Sequence, residues 1–196
     1  MQSEIDYYEG LLAEHGDSPK ALDWSEEGQR DRFRVIYAAG IEDGDSITDL
    51  GCGLGHFYRH LQTRCEWAGG YVGIDQSAAL VEVARSRYPE ASFVVGNAFT
   101  ESLGRSDWAI ASGLLNVKLL NPMYWAVELL KRSLAIGKKG AAVNFLSDRA
   151  PAKRSDRNYF SAPQLLNIAL DMSPYVTLRH DYRDNDFTLY LYHEKK

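Results

Sequence analysis

The chain reads as an α/β protein: a doubly wound, mostly parallel sheet of seven strands, with helices on both faces and one strand reversed. Three observations predict this. Apolar runs alternate with segments of helical spacing through the middle of the chain. A glycine-rich turn, DLGCGLG at 49–55, joins the first run to the helix after it. Two β-prone runs then close the sequence, separated by too few residues for a crossover.

Two helical segments come first, about 3–15 and 25–39, joined by GDSPKALDW with its turn-forming Gly16, Asp17 and Pro19. On the second helix Gln29, Arg32, Phe33 and Ile36 share one face, which aims a cation where apolar side chains go. The helical neighbours of Arg32 are Gly28, Gln29, Val35 and Ile36, none of them acidic. Its anion is therefore either a ligand or a carboxylate from elsewhere in the fold, unless the side chain snorkels to water. Buried strands are expected at 46–50, 71–75, 92–96, 108–112 and 140–146. Between them Phe57 with Leu61, Leu80 with Ala84 and Tyr88, and Met123 with Val127, Leu130 and Leu134 repeat at helical intervals. A crossover helix is what lets neighbouring strands run the same way. Asn121-Pro122 reads as a helix start. After a helical stretch at 162–170, YVTLRHDY (175–182) and FTLYLYH (187–193) are linked by 183–186 alone, which forces a hairpin. That ending departs from the standard dinucleotide-binding sheet.

With 196 residues, 45% of them hydrophobic, the chain can bury a core unaided as one domain, 1–196. Lys+Arg 22 against Asp+Glu 27 gives a net charge of −5 without a basic stripe, which argues against a nucleic-acid duplex and for a small-molecule partner. The opening MQSEIDYYEG lacks the basic and apolar regions of a signal peptide, and no apolar run is long enough for a membrane span. A soluble, cytoplasmic protein is expected. Cys52 and Cys65 are too few for a zinc site or a disulfide framework, so no metal is implied; Cys52, inside the glycine turn, reads as a small packing residue.

Gly51, Gly53 and Gly55 describe a chain bent tightly around something; nucleotides, phosphates and plain packing all satisfy that. The surrounding residues go further. DLGCGLG, then YVGIDQS (71–77), FVVGNAFT (93–100), DWAIASGLLN (107–116) and the terminal hairpin together resemble the class I S-adenosylmethionine-dependent methyltransferases of small-molecule type, from about residue 46 onward. The Gly-x-Gly-x-Gly spacing also differs from the Gly-x-Gly-x-x-Gly of nicotinamide and flavin proteins. The resemblance implies a Rossmann-like sheet with an antiparallel last strand and S-adenosylmethionine as cofactor. It also implies a helical lid, residues 1–40, over a core of 41–196.

Asp75 ends the second predicted strand, 20 residues after Gly55, where a carboxylate can accept from both ribose hydroxyls; the alternative is an N-cap, which Ser77 can supply itself. Gln76 flanks the adenine or faces solvent. By resemblance, Asp49 helps hold the methionine end of the cofactor, the turn of Gly51, Gly53 and Gly55 offers it backbone groups, and Arg32 completes its carboxylate site. Asn97 and Ala98 stand beside the adenine, unless Asn97 only forms a turn. Ser112, placed with the cofactor set, leads into Gly113 and Asn116, where the acceptor should sit above the ends of the first and fourth strands. Acid–base candidates are His180 and Asp181, in the penultimate strand, and His56; each histidine is also readable as an ordinary structural group. Tyr7, Tyr8 and Trp24 line a pocket or simply pack. The basic segment 147–160 is a solvated loop, or it shapes an acceptor site for an anionic substrate. No Asn-Pro-Pro-Tyr-like sequence follows the fourth strand, which disfavours adenine or glutamine-amide acceptors. The expected function is methyl transfer to an oxygen or nitrogen of a small molecule. The alternatives are a protein or RNA acceptor, or a non-catalytic cofactor-binding protein.

Overall fold

Every residue of β1 (Ile47–Leu50) is buried, as befits a strand covered on both faces. The computed structural model, which describes residues 2–64 and 67–195, pairs β1 in parallel with β2 (Tyr71–Asp75) on one side and β4 (Ser106–Ser112) on the other. β3 (Ser92–Val95) lies outside β2, and β5 (Gly137–Leu146) outside β4. With β6 (Tyr175–Arg179) and β7 (Asp186–Tyr192) they form a seven-stranded sheet in the order β3-β2-β1-β4-β5-β7-β6. The last strand inserts between β5 and β6 and runs antiparallel to both.

One predicted boundary shifts. The β6–β7 ladder ends at Arg179 opposite Thr188, so His180 and Asp181 lie in the hairpin loop and not in the penultimate strand. The cause is local: Arg179 Nε donates to Asp181 Oδ1 at 2.8 Å, folding the chain back, and Tyr182 turns inward to lie 2.8 Å from the Thr188 hydroxyl.

Alternation along the strands feeds two cores. Trp108 and Ile110 of β4 point into one, with Phe33 and Ile36 of α2 (Glu26–Tyr37) and Phe57 of α3 (His56–Arg64). Ala109 and Ala111 point into the other, with Leu129 and Leu130 of α5 (Pro122–Ile136) and Leu165 of α6 (Ala162–Met172). Serines fix two helix starts: the Ser25 hydroxyl accepts from Gly28 N–H at 3.0 Å, and the Ser77 hydroxyl accepts from Leu80 N–H at 3.2 Å to begin α4 (Ala78–Arg87). Pro122 opens α5 as its motif predicts, where the missing N–H costs nothing.

Because β1 is flanked by β2 and β4, the chain leaves it in opposite directions and a crevice opens beyond the carboxyl ends of β1 and β4. Helix α1 (Gln2–His15) and a 3-10 turn (Pro19–Leu22) pack together near this crevice, with α1 also touching α4. The segment after β5 returns to meet them. Arg154 Nη1 donates to Asp23 Oδ2 at 2.8 Å, Arg157 Nη2 donates to Asp23 as well, and the same Nη2 reaches the Tyr7 hydroxyl at 2.8 Å. Asn158 Nδ2 ties the segment to the loop after β4 through Leu115 O (2.8 Å) and Val117 O (2.6 Å). This basic stretch thus bridges elements through Arg154, Arg157 and Asn158, while residues 151–156 stay exposed. Among the described residues no helix is long and apolar enough to cross a membrane, and no cluster of metal-ligating side chains occurs. Cys65 falls outside the described residues.

Candidate cofactor site

The glycine turn follows β1 into the crevice, and its three glycines take positive φ: +80° at Gly51, +51° at Gly53 and +71° at Gly55. The N–H groups of Gly51 and Cys52 both donate to Ile74 O, at 2.8 and 3.0 Å, which folds the turn against the end of β2. A Cβ on Gly51 would lie 2.7 Å from Leu114 Cδ1, and one on Gly53 would lie 2.9 Å from Leu22 Cδ2. Glycine is therefore required by both conformation and space. Gly53→Ala is expected to destabilise the protein by about 1–2 kcal/mol, because alanine resists left-handed backbone and Leu22 must move. Thermal unfolding measures the loss, and unchanged stability would show that Leu22 yields freely.

Asp75 locks this turn to the next helix. Its Oδ2 accepts from Gly53 N–H and its Oδ1 from Ser77 N–H, both at 3.0 Å. The Ser77 hydroxyl donates to Glu9 Oε1 at 2.9 Å, which fastens α1 to the rim. Burial raises the Asp75 pKa, opposed by the N–H donors at its oxygens. Asp49 lies buried at the base of the turn, where Tyr71 Oη donates to Oδ2 at 2.5 Å. Burial pushes its pKa up to about 7; the Tyr71 hydrogen bond opposes this and the charge of Asp75 adds to it.

That elevation has a sign. The folded Asp49 keeps a proton that the unfolded chain releases above its ordinary 3.8, so wild-type stability is lost as pH rises toward about 7. Asp49→Asn removes the penalty while leaving an acceptor for Tyr71. The variant is expected to match wild type near pH 4 and to exceed it above pH 7 by on the order of 2 kcal/mol. Denaturant titrations at the two pH values test this, and equal pH profiles would contradict it.

His56, first residue of α3, is held by two partners. Its Nδ1 lies 3.0 Å from Gln29 Nε2 and its Nε2 lies 2.7 Å from Asp17 Oδ1. Burial lowers its pKa against the pull of Asp17, so a neutral ring accepting from Gln29 and donating to Asp17 satisfies both bonds. The histidine fastens α2 and the α1–turn segment to the site.

Together these groups line a cleft of about 870 Å³, mouth included. Of the residues expected at the site, the structure brings Asp49, Gly51, Gly53, Asp75, Gln76, Ala98 and Ser112 to its wall. The Ser112 Oγ is buried there without a hydrogen-bond partner among the described residues. Tyr8 and Trp24 also line it, with Leu22 and Leu114. Those two leucines escaped sequence reasoning because nothing distinguishes them from core leucines until the glycines they cover are seen.

Other expected residues stand elsewhere. Arg32 does not line this cleft: its Nη2 lies 2.9 Å from Asp186 Oδ2, its Nε donates to Asp186 Oδ1 at 3.2 Å, and its guanidinium stacks over Trp24 at 4.7 Å. Its anion is thus the protein's own, delivered by β7. Asn97 uses its Oδ1 to accept from Phe99 N–H at 2.8 Å, the turn-forming alternative, and does not line the cleft. Gly55 packs instead against Phe93 and Tyr88. His180 sits by a separate surface cleft with Arg149 and Asp184, its ring edge-on to Phe187. The hairpin loop carries it there once β6 stops at Arg179.

Comparison with known proteins bears on this geometry. The family described as "Methyltransferase domain" matches residues 47–140, from β1 into the start of β5. Over that segment the chain matches a methyltransferase family, the expectation its glycine turn raised. Trans-aconitate 2-methyltransferase of Escherichia coli is 36% identical over 74 residues, 37% of this chain and 29% of that protein, so the match spans under a third of the length of this curated relative. In fold, the chain resembles magnesium protoporphyrin IX methyltransferase from Synechocystis, solved with bound SAH. That pair has TM-score 0.68 and 14% identity, covering 98% of this chain and 94% of the other. A TehB-like SAM-dependent methyltransferase from Corynebacterium glutamicum gives TM-score 0.63 at 17% identity, with coverage of 99% and 100%. Such identities speak for the methyltransferase fold alone.

The residues at the cleft suit the family's cofactor. A buried carboxylate, Asp49, and a part-buried one, Asp75, fit a molecule bearing ribose hydroxyls at one end and an ammonium at the other, and the Ser112 Oγ, unpartnered among the described residues, offers a further polar contact.

Proposed function

We propose that the protein transfers a methyl group from S-adenosylmethionine to an oxygen or nitrogen of a small molecule, in the cytoplasm, as one domain whose first 40 or so residues act as a lid. The observation that carries this reading is the pairing of Asp49 and Asp75 around the glycine turn, in a cleft walled on its far side by Tyr8, Leu22 and Trp24. A cleft covered in this way suits a small acceptor better than a flat macromolecular surface. The curated relative's name, a methyltransferase of trans-aconitate, supports the same size class.

When bound, S-adenosylmethionine supplies an electrophilic methyl group on a positively charged sulfur. The chain's own task is to place and to shield. Asp75 accepts from the sugar, Asp49 offers charge to the ammonium, and Gln76 and Ala98 border the base. Tyr8, Leu22 and Trp24 keep water from the acceptor side. Positioning of two reactants alone is worth roughly 7–11 kcal/mol, so a dedicated base is not required. His180, away from the cleft, has no part in this scheme.

Calorimetry with S-adenosylmethionine, followed by detection of S-adenosylhomocysteine formed with a metabolite panel, tests the proposal. Binding with turnover of small acceptors is expected. Binding without turnover would leave a cofactor-binding protein, turnover with protein or RNA alone would replace the acceptor class, and absence of binding would remove the reading.

A further inference from the structure

Beside the cofactor cleft lies a second cavity, of about 770 Å³ by the same measure, which shares Tyr8, Leu22 and Trp24 with it. The partition between them is thin. A Cβ on Gly113, which lines the first cavity, would lie 2.5 Å from Trp24 Cζ2 and 3.0 Å from Asn116 Nδ2, and Asn116 lines the second.

Asn116 is the telling residue. It is 7% exposed, its backbone N–H donates to Gly113 O at 3.1 Å, and its carbonyl accepts from Asn158 N–H at 2.9 Å. Its side-chain amide makes no hydrogen bond among the described residues and faces the cavity. Buried amides are ordinarily satisfied, so an open one beside a cavity marks a place for a polar ligand group.

The charges lining this cavity add a second constraint. Arg32 is committed to Asp186, and Arg154 and Arg157 share Asp23 and Asp156. Lys153 differs: its Nζ stands 5.6 Å from the Tyr159 ring centroid and has no carboxylate partner among the described residues. One uncommitted ammonium among arginines already neutralised matches a single negative charge. A dianionic phosphate would leave charge uncompensated, and the forked guanidinium donors that favour it are taken.

We infer that this second cavity is the acceptor chamber and that the acceptor is a small carboxylic acid, its carboxylate held by Lys153 and a polar group near its reacting atom held by the Asn116 amide. The inference rests on the methyltransferase reading and adds the substrate class. The order of the two contacts follows from position: Asn116 adjoins Gly113 at the cofactor cleft, whereas Lys153 lines the second cavity without reaching the first.

The test is a titration of ¹⁵N-labelled full-length protein, with and without saturating S-adenosylhomocysteine. The probes are the monoanions salicylate and 3-hydroxybutyrate, each beside its neutral amide, with dianionic glutarate as the acid expected to bind more weakly. At least one acid is expected to move the Asn116 side-chain amide signal and to bind about tenfold or more tightly than its amide. Lys153→Gln should abolish that preference, while Lys153→Arg keeps it within about threefold. Amides binding as well as acids, an undiminished preference in K153Q, or no acid reaching Asn116 would overturn the inference. Failure of S-adenosylhomocysteine itself to bind is read separately, on the nucleoside's own signals, and strikes the methyltransferase reading instead.

Discussion

Asp75→Ala is expected to weaken S-adenosylmethionine binding by about 3–5 kcal/mol, two to four orders of magnitude in Kd. On the proposed reading, in which Asp75 accepts from both ribose hydroxyls, two charge-assisted hydrogen bonds at about 1.5–3 kcal/mol each are lost together. The carboxylate has a second duty that sharpens the experiment. Its oxygens also accept from the N–H groups of Gly53 and Ser77, so alanine releases the glycine turn and the start of α4 at once. Asp75→Asn separates the two duties: the amide oxygen still accepts one N–H, so the turn is held in part while the charge on the sugar disappears. The asparagine variant should therefore lose less stability than D75A and bind the cofactor far more weakly. Calorimetry and thermal unfolding on both variants give the comparison. If D75N bound as tightly as wild type, the ribose would have to lie elsewhere in the cleft.

The sheet was legible in the sequence because its signals are local. Runs such as YVGID and DWAIA are apolar on both faces, the signature of a covered parallel strand, and the short spacer at 183–186 left a hairpin as the sole connection. The glycine turn and Asp75 were legible for the same reason, since spacing along one βαβ unit fixes where they end up. What could not be read was whatever depends on two distant segments meeting. Arg32 visibly needed an anion, yet Asp186 is 154 residues away and reaches it through the insertion of β7 between β5 and β6. The tether of Asp23 to Arg154 and Arg157 is likewise long-range, and it turned a stretch readable as solvated into a wall of the second cavity. His180 was misplaced by a boundary, since the strand ends one residue before it.

Arg32→Ala is expected to destabilise the ligand-free protein by about 3–5 kcal/mol, the usual cost of removing one partner from a buried ion pair. Asp186 is fully buried and the Arg32 side chain is 6% exposed, so the pair is desolvated and the abandoned carboxylate loses its main compensation. Arg183, with Nε 3.4 Å from Asp186 Oδ2, supplies a second, longer-range cation that keeps the loss from growing further. Burial already raises the Asp186 pKa against the pull of Arg32, and removing the guanidinium raises it more. A carboxyl with a raised folded pKa is stabilising while protonated, and that contribution is lost as pH rises through the folded value. The deficit of R32A should therefore shrink on acidification and be largest at neutral and higher pH, as urea titrations at pH 5 and pH 8 will show. Replacing both partners by apolar residues, Arg32→Met with Asp186→Leu, should recover most of the loss, since no charge is then stranded. The same series decides between the two partners considered for this arginine. Had Arg32 served a cofactor carboxylate, R32A would lower affinity and leave the ligand-free stability unmoved. With Asp186 as its partner, the stability falls first, and the effect on the cavities follows from the loss of the cation stacked on Trp24.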